Sequence, residues 1–347
     1  MKFNEDKYHK IMLMIIESLV VFGFIYIIIY FFNSYSHYEL LKTTPDNNKI
    51  TDELKLNPNE KGDALGGILN PIVGVVAIVV TYLAFYIQFL ANRQVQNQFK
   101  IQQFESQFYE MLRIHKDNVN EMYLFEIGGI KHEGRFVLES VYFELVYFYN
   151  SCTSFFDDMQ KDEKINTDAL NTSKKRLRFV YKIYFFGIEN INKKTLSKIE
   201  NECLNYFERI STFPSKLDEK IRHETLKGNQ SRLAHYYRHL FQTVKLVANQ
   251  EESFITYENK RKYLRVLRAQ LTNHEQALLF FNWYSDFGYK WEEFLKSGNK
   301  FFTDYRMIHN LYPELILNMY DLEAFKSLRK EKDRKIDSLF EFQDWGN

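Results

Sequence analysis

The chain has little that would cross-link or interrupt it. Of its 347 residues only 2 are cysteine, 5 proline and 13 glycine. Two cysteines with no CxxC pair and no Cys/His cluster exclude a disulfide scaffold and a structural zinc site. They predict two buried, reduced thiols at Cys152 and Cys203 and a reducing compartment. Scarce glycine and proline leave few places where a helix must stop. An excess of one charge is missing too: 46 Lys and Arg stand against 45 Asp and Glu. The molecule as a whole is therefore no general binder of nucleic acid, and an anion must be met by a local patch. The GxGxxG dinucleotide loop, the GxxxxGK[ST] phosphate loop, the GxSxG elbow and metal-ligand spacings are all absent. Nucleotide hydrolysis and serine-esterase chemistry are disfavoured, and no cofactor or metal is expected.

What the chain has is aromatic and helical. Phe, Trp and Tyr make up 17 %, with 32 Phe and 24 Tyr. With so few breakers, that composition predicts an all-α fold of long helices packed through aromatic side chains. Two runs are apolar all round: "IMLMIIESLVVFGFIYIIIYFF" at 11–32, and "ILNPIVGVVAIVVTYLAFYIQFL" at 68–90, with Pro71 suited to a first helical turn. At 1.5 Å per residue the first covers about 33 Å, enough to cross hydrocarbon. The expected order is a cytosolic tail (1–10), a transmembrane helix (11–32) and a polar extracytoplasmic loop (33–64). A second transmembrane helix (65–90), a cytosolic α-helical bundle domain (91–325) and a charged tail (326–347) follow.

Lys2, Lys7, Lys10, Arg93 and Lys100 flank the spans on one side; Lys42, Lys49, Lys55 and Lys61 lie on the other. That bias puts both termini inside the cell, at the inner membrane of a bacterium, with the lipid bilayer as a partner. Glu17 within the first span reads as a snorkelling side chain or as a helix-pairing group. Gly66, Gly67 and Gly74 permit close helix approach, which suits a homo-oligomer.

Past the second span the helical period continues. Phe104, Phe108, Met111, Leu112, His115, Val119 and Met122 share one face, with His115 expected as a core histidine. Gly128, Gly129 and Gly134 break that helix. Further helices are expected over about 136–156, 174–188, 195–211, 230–248, 257–285 and 301–309, with no strand of useful length.

One helix is unlike its neighbours. "GNQSRLAHYYRHLFQTVKLV" (228–247) carries two arginines, two histidines and no acid. Leu233, Tyr237, Leu240, Phe241, Val244, Val247 and Ala248 form its core face. Arg232, His235, His239 and Gln242 fall opposite, flanked by Arg238 and Lys245. Such a donor-only face suits phosphate or carboxylate. An imidazole moves a proton near neutral pH, and a guanidinium steadies charge developing on phosphate. Metal-independent cleavage of RNA at its 2′-hydroxyl needs those two functions. Arg232, His239 and His235 are the catalytic candidates, and Arg238, Gln242 and Lys245 the anion-binding ones. The spacing from Arg232 to His239 resembles the R-x4–6-H signature of the HEPN ribonucleases, although Leu233 stands where that superfamily carries a polar residue. A purely structural face, bonded to neighbouring helices, stays open beside this reading. In "LRAQLTNHEQALLFFNW" (267–283), Arg268 and Glu275 form either an interhelical network or a pair in which Glu275 orients His235 or His239.

These two stretches, with "FESQFYEMLRIHKDNVNEM" (104–122) and "HEGRFVLES" (132–140), resemble the putative phage abortive infection proteins, the AbiC-like family. The likeness covers most of the chain beyond about residue 65. It implies bacterial anti-phage defence, in which an infected cell arrests or dies before phage is released. Three functions follow as expectations: an anchored effector acting on RNA, a non-enzymatic sensor of a phage component whose hairpin oligomerises and perturbs the membrane, or a membrane-tethered scaffold.

Overall fold

A computed structural model describes residues 58–161, 166–211, 221, 223–293, 297–317 and 340–341, with isolated helical positions between 14 and 33. The first expected span, Glu17, most of the polar loop and the charged tail thus lie largely outside the described residues. The chain divides into two compact units, Met1–Val95 and Gln96–Asn347.

Helix α1, Pro58–Asn120, contributes to both. It passes through Pro71 instead of starting there, although proline has no N–H to give the preceding turn. Among the described residues one helix is long and apolar enough to cross a membrane, and none of its most apolar 18-residue window is buried. Val73, Ile78, Phe85 and Phe89 on it are all exposed.

The second unit is built from helices and one small hairpin. β1 (Tyr123–Phe125) pairs antiparallel with β2 (Lys131–Glu133), Leu124 opposite His132. This hairpin was not expected. Gly128 and Gly129, at φ 126° and 90°, turn the chain back where a simple break was foreseen. α2 (Arg135–Met159), α3 (Ser173–Phe186) and α4 (Lys198–Ser211) follow. Then come α5 (Gln230–Ala248), α6 (Tyr257–Arg268) and α7 (Asn273–Tyr284).

α7 lies at the centre. Its residues from Glu275 to Tyr284 are all buried, as befits a helix that is apolar nearly all round. α2 and α3 pack on it and on each other. α5 matches its expected bounds and buries Leu233, Tyr237, Leu240, Val244 and Val247. The C-terminal part of α1 buries Phe104, Phe108, His115, Val119 and Met122.

Two expectations fail for local reasons. The single helix expected over 257–285 is two, because Thr272 caps α7 and forms a reciprocal box with Glu275. Residues 301–309 are turns, not a helix; Arg306 has φ 60°, which ends helical winding there. Cys152 and Cys203 are buried and free, as foreseen, with sulfurs 3.7 Å apart.

Candidate functional site

The donor face of α5 is divided by the fold. His235, Arg238, Gln242 and Lys245 are exposed. Among the described residues no carboxylate contacts them, and Arg238 bonds only its own helix, at the Ala234 carbonyl 3.1 Å away. Arg232 and His239 are half-buried and turn to different elements. Arg232 Nε donates to the Tyr123 carbonyl on β1 at 3.0 Å. His239 Nε2 lies 2.9 Å from the Met111 carbonyl on α1. Two turns of helix, roughly 10 Å, separate the two backbones.

His239 stacks on His115, with centroids 6.2 Å apart and planes 14° from parallel. His115 is 2 % exposed, and neither ring nitrogen finds a partner among the described residues. Burial drives its pKa down to about 4, with further lowering from His239 and Arg135, so the ring is neutral at pH 7.

Glu275 orients no histidine. One carboxylate oxygen accepts from the Thr272 N–H at 2.6 Å, the other from the Tyr236 hydroxyl at 3.1 Å. Its place is a helix cap, and burial raises its pKa. Arg268 donates to the Arg306 carbonyl at 3.1 Å.

A different cluster gathers at the N-terminal end of α5, around a cleft of about 700 Å³. At its base Glu144 from α2 is 1 % exposed and receives three donors. These are the Leu226 N–H at 2.8 Å, Asn229 Nδ2 at 3.0 Å and His223 Nε2 at 3.1 Å. Asn229 extends the chain, since its Oδ1 accepts from Arg232 at 3.3 Å. Asn229 holds the N-cap position of α5 without making a side-chain cap bond; Glu144 and Arg232 take its amide instead. His223 Nδ1 and Thr225 Oγ1, also at the cleft, are buried and unpartnered among the described residues.

The loop that delivers these groups depends on two glycines. Gly187 (φ 88°) and Gly228 (φ 89°) lie backbone to backbone; a Cβ on Gly228 would stand 2.7 Å from the Phe186 carbonyl. The Ile188 N–H then reaches the Leu226 carbonyl at 2.8 Å. The hairpin supplies the opposite wall, with Phe125 54 % exposed and Glu126 bridged to His223.

Glu144 and His223 were not singled out in the sequence. Glu144 left a signal: it is an acid inside the apolar run "VYFELVYFY" (141–149), where a buried carboxylate demands donors. His223 left none, because its partner lies 79 residues away. Among the described residues no group of three or more His, Cys, Asp or Glu is set to hold a metal ion.

A family model described as putative phage abortive infection protein matches residues 228–316. The match takes in α5, α6 and α7, and with them Gly228, Asn229 and Arg232; Glu144 and His223 lie outside it. The likeness to that family is thereby borne out over this stretch. No curated protein and no solved structure matches the chain.

Proposed function

We propose that this chain is a membrane-anchored anti-phage defence protein of the abortive infection type, whose cytosolic helical domain acts on RNA. The family match over residues 228–316 carries the defence reading. Anchoring is supported by the apolar stretch of α1, whose exposed Val73, Ile78, Phe85 and Phe89 would cost roughly 25 cal/mol for each Å² of apolar surface left in water. A bilayer removes that cost, and the expected topology keeps both termini in the cytosol at the bacterial inner membrane. Action on RNA is supported by the row His235, Arg238, Gln242 and Lys245, which is exposed and free of carboxylate contacts among the described residues. A phosphate backbone is the polyanion such a row suits.

Plating of phage on bacteria with and without the gene, together with membrane fractionation, tests this. The expected result is a drop in plaque number of tenfold or more, with the protein in the membrane fraction. Equal plating overturns the defence reading, and protein in the soluble fraction overturns the anchor.

A further inference from the structure

We infer that the cleft at the N-terminal end of α5 cleaves RNA, with His223 as the base that takes the proton of a ribose 2′-hydroxyl. The inference rests on the RNA reading above and gives it a site. That site is not the helix face the sequence pointed to, and its histidine is not His239.

The first observation is the state of His223. Glu144 already accepts from the Leu226 N–H and from Asn229 Nδ2, so it acts as an acceptor towards His223 as well. That places the imidazole proton on Nε2 and leaves a lone pair on Nδ1. A carboxylate behind one nitrogen orients the ring and steadies the cation formed when the other takes a proton. His223 lines the cleft, and its Nδ1 is buried with no partner among the described residues. Beside it Thr225 Oγ1 is equally unpartnered. An unmet acceptor and an unmet hydroxyl on one loop each leave desolvation uncompensated until a ligand arrives.

The second observation is Arg232. Of its five N–H donors, Nε bonds the Tyr123 carbonyl and one Nη1 hydrogen bonds Asn229 Oδ1. Those bonds fix the guanidinium plane at the cleft and leave donors for the equatorial oxygens of a phosphate. The chain His223–Glu144–Asn229–Arg232 is continuous, so base and guanidinium are held in one frame.

The third observation selects nucleic acid over a small anion. Phe125 lines the cleft and Tyr123 stands beside it; their rings are 5.7 Å apart and 54 % and 49 % exposed. Lys131 lies over the Tyr123 ring at 4.9 Å. Exposed aromatic rings with adjacent cations are a stacking platform for unpaired bases, worth about 1–3 kcal/mol per base. Two of the cleft acids have side-chain partners: Glu126 lies 3.0 Å from His132 Nε2 and Glu189 3.5 Å from Lys227 Nζ. Glu224 is the exposed acid that remains on this lining. A metal-free base and a guanidinium suit a substrate that brings its own nucleophile, and the ribose 2′-hydroxyl is one.

In the proposed step His223 Nδ1 removes the 2′-hydroxyl proton as the 2′-oxygen bonds to the adjacent phosphorus. The bond from phosphorus to the 5′-oxygen breaks, and the imidazolium returns that proton to the departing oxygen. The products are a 2′,3′-cyclic phosphate and a free 5′-hydroxyl, with no redox partner and no co-reactant. Nδ1 is covered in the free chain, so the step requires that substrate binding uncovers it.

The test uses the full chain in detergent or nanodiscs, with end-labelled single-stranded RNA and DNA of one sequence as probes. The expected result is RNA cut to cyclic-phosphate ends and DNA left whole, for want of a 2′-hydroxyl. His223→Ala cuts at least 100-fold more slowly, the low end of general-base contributions, while still binding the RNA. Should His223→Ala not fold, Arg232→Lys and Phe125→Ala, at half-buried and exposed positions, carry the test with losses of tenfold or more. RNA left whole by the wild type, equal cutting of DNA, or wild-type rates in His223→Ala or in both substitute variants overturn the inference. A chain that protects cells and binds RNA but does not cut it sinks this site and leaves the defence reading standing. A chain that cuts RNA but never protects does the reverse.

Discussion

The two histidine neighbourhoods on α5 are built by opposite rules. Just before the helix N-terminus His223 has a buried carboxylate on one nitrogen and, among the described residues, nothing on the other. Along the helix body His115 and His239 stack with no acid in the pair, and His239 meets only a backbone carbonyl. The first arrangement orients a ring through one nitrogen. The second strips a ring of its charge and uses it as an aromatic filler. Composition does not separate them, since each site has imidazole and a nearby arginine. The difference is whether a carboxylate meets the buried ring.

The most damaging way to break the comparison is Glu144→Ala. It removes the acceptor shared by His223, Asn229 and the Leu226 N–H, all of them buried. Leaving such donors unmet costs about 3–5 kcal/mol. Thermal unfolding of the full chain in detergent should fall by roughly 10 °C or more. An unchanged midpoint would mean the carboxylate is not the fastener of this loop.

The second test sharpens the comparison through pH. His115 has its pKa lowered from 6.5 to about 4, first by burial and then by His239 and Arg135. Between those values the unfolded chain binds the proton more readily, so this residue destabilises the fold as pH falls. Glu292 goes the other way. Burial raises it from 4.5 to about 7 although Thr303 and Phe302 donate to it and Lys300 lies near. Here the folded chain holds the proton more readily, so stability is lost as pH rises from 4.5 to about 7. Each group shifts stability by about 3 kcal/mol across its window. The two slopes oppose one another and nearly cancel between pH 4.5 and 6.5. In His115→Leu the balance goes, and unfolding midpoints should fall steadily from pH 5 to pH 7. In Glu292→Gln they should rise over the same interval. Parallel profiles in both variants would remove the assignment of either group.

The body of the fold was legible because helical period needs only local information. α5 appears at its expected bounds, and the buried face of α1 from Phe104 to Met122 matches the residues that repeat at that period. The split between α6 and α7 was missed, although it left a signal. Thr272 and Glu275 have capping-box spacing, but an unbroken apolar pattern masked the stop. The hairpin was not legible: strands of three residues show no alternation, and their pairing depends on Gly128 and Gly129 at positive φ. The outer row of α5 could be placed from the sequence, because a side chain's angle around a helix is local. The cleft could not. Its carboxylate and imidazole come from positions 144 and 223, brought together by the Gly187–Gly228 contact, and nothing short-range links them.

The smallest effect on stability belongs to that outer row, and it sets the limits of the comparison. Arg238 and Lys245 are exposed, and among the described residues neither meets an acid. Replacing both by alanine should change unfolding free energy by no more than about 0.5 kcal/mol. Binding of single-stranded RNA to the full chain is a different matter. Each lost phosphate contact lowers the slope of log affinity against log salt by roughly 0.7. The double variant should therefore lose about 1.4 from that slope, whereas His223→Ala should leave it unchanged. That division would assign grip to the exposed row and chemistry to the buried imidazole. A slope unmoved by the double variant would make the row a solvated surface, and RNA would then have to be held by the aromatic wall of the cleft alone.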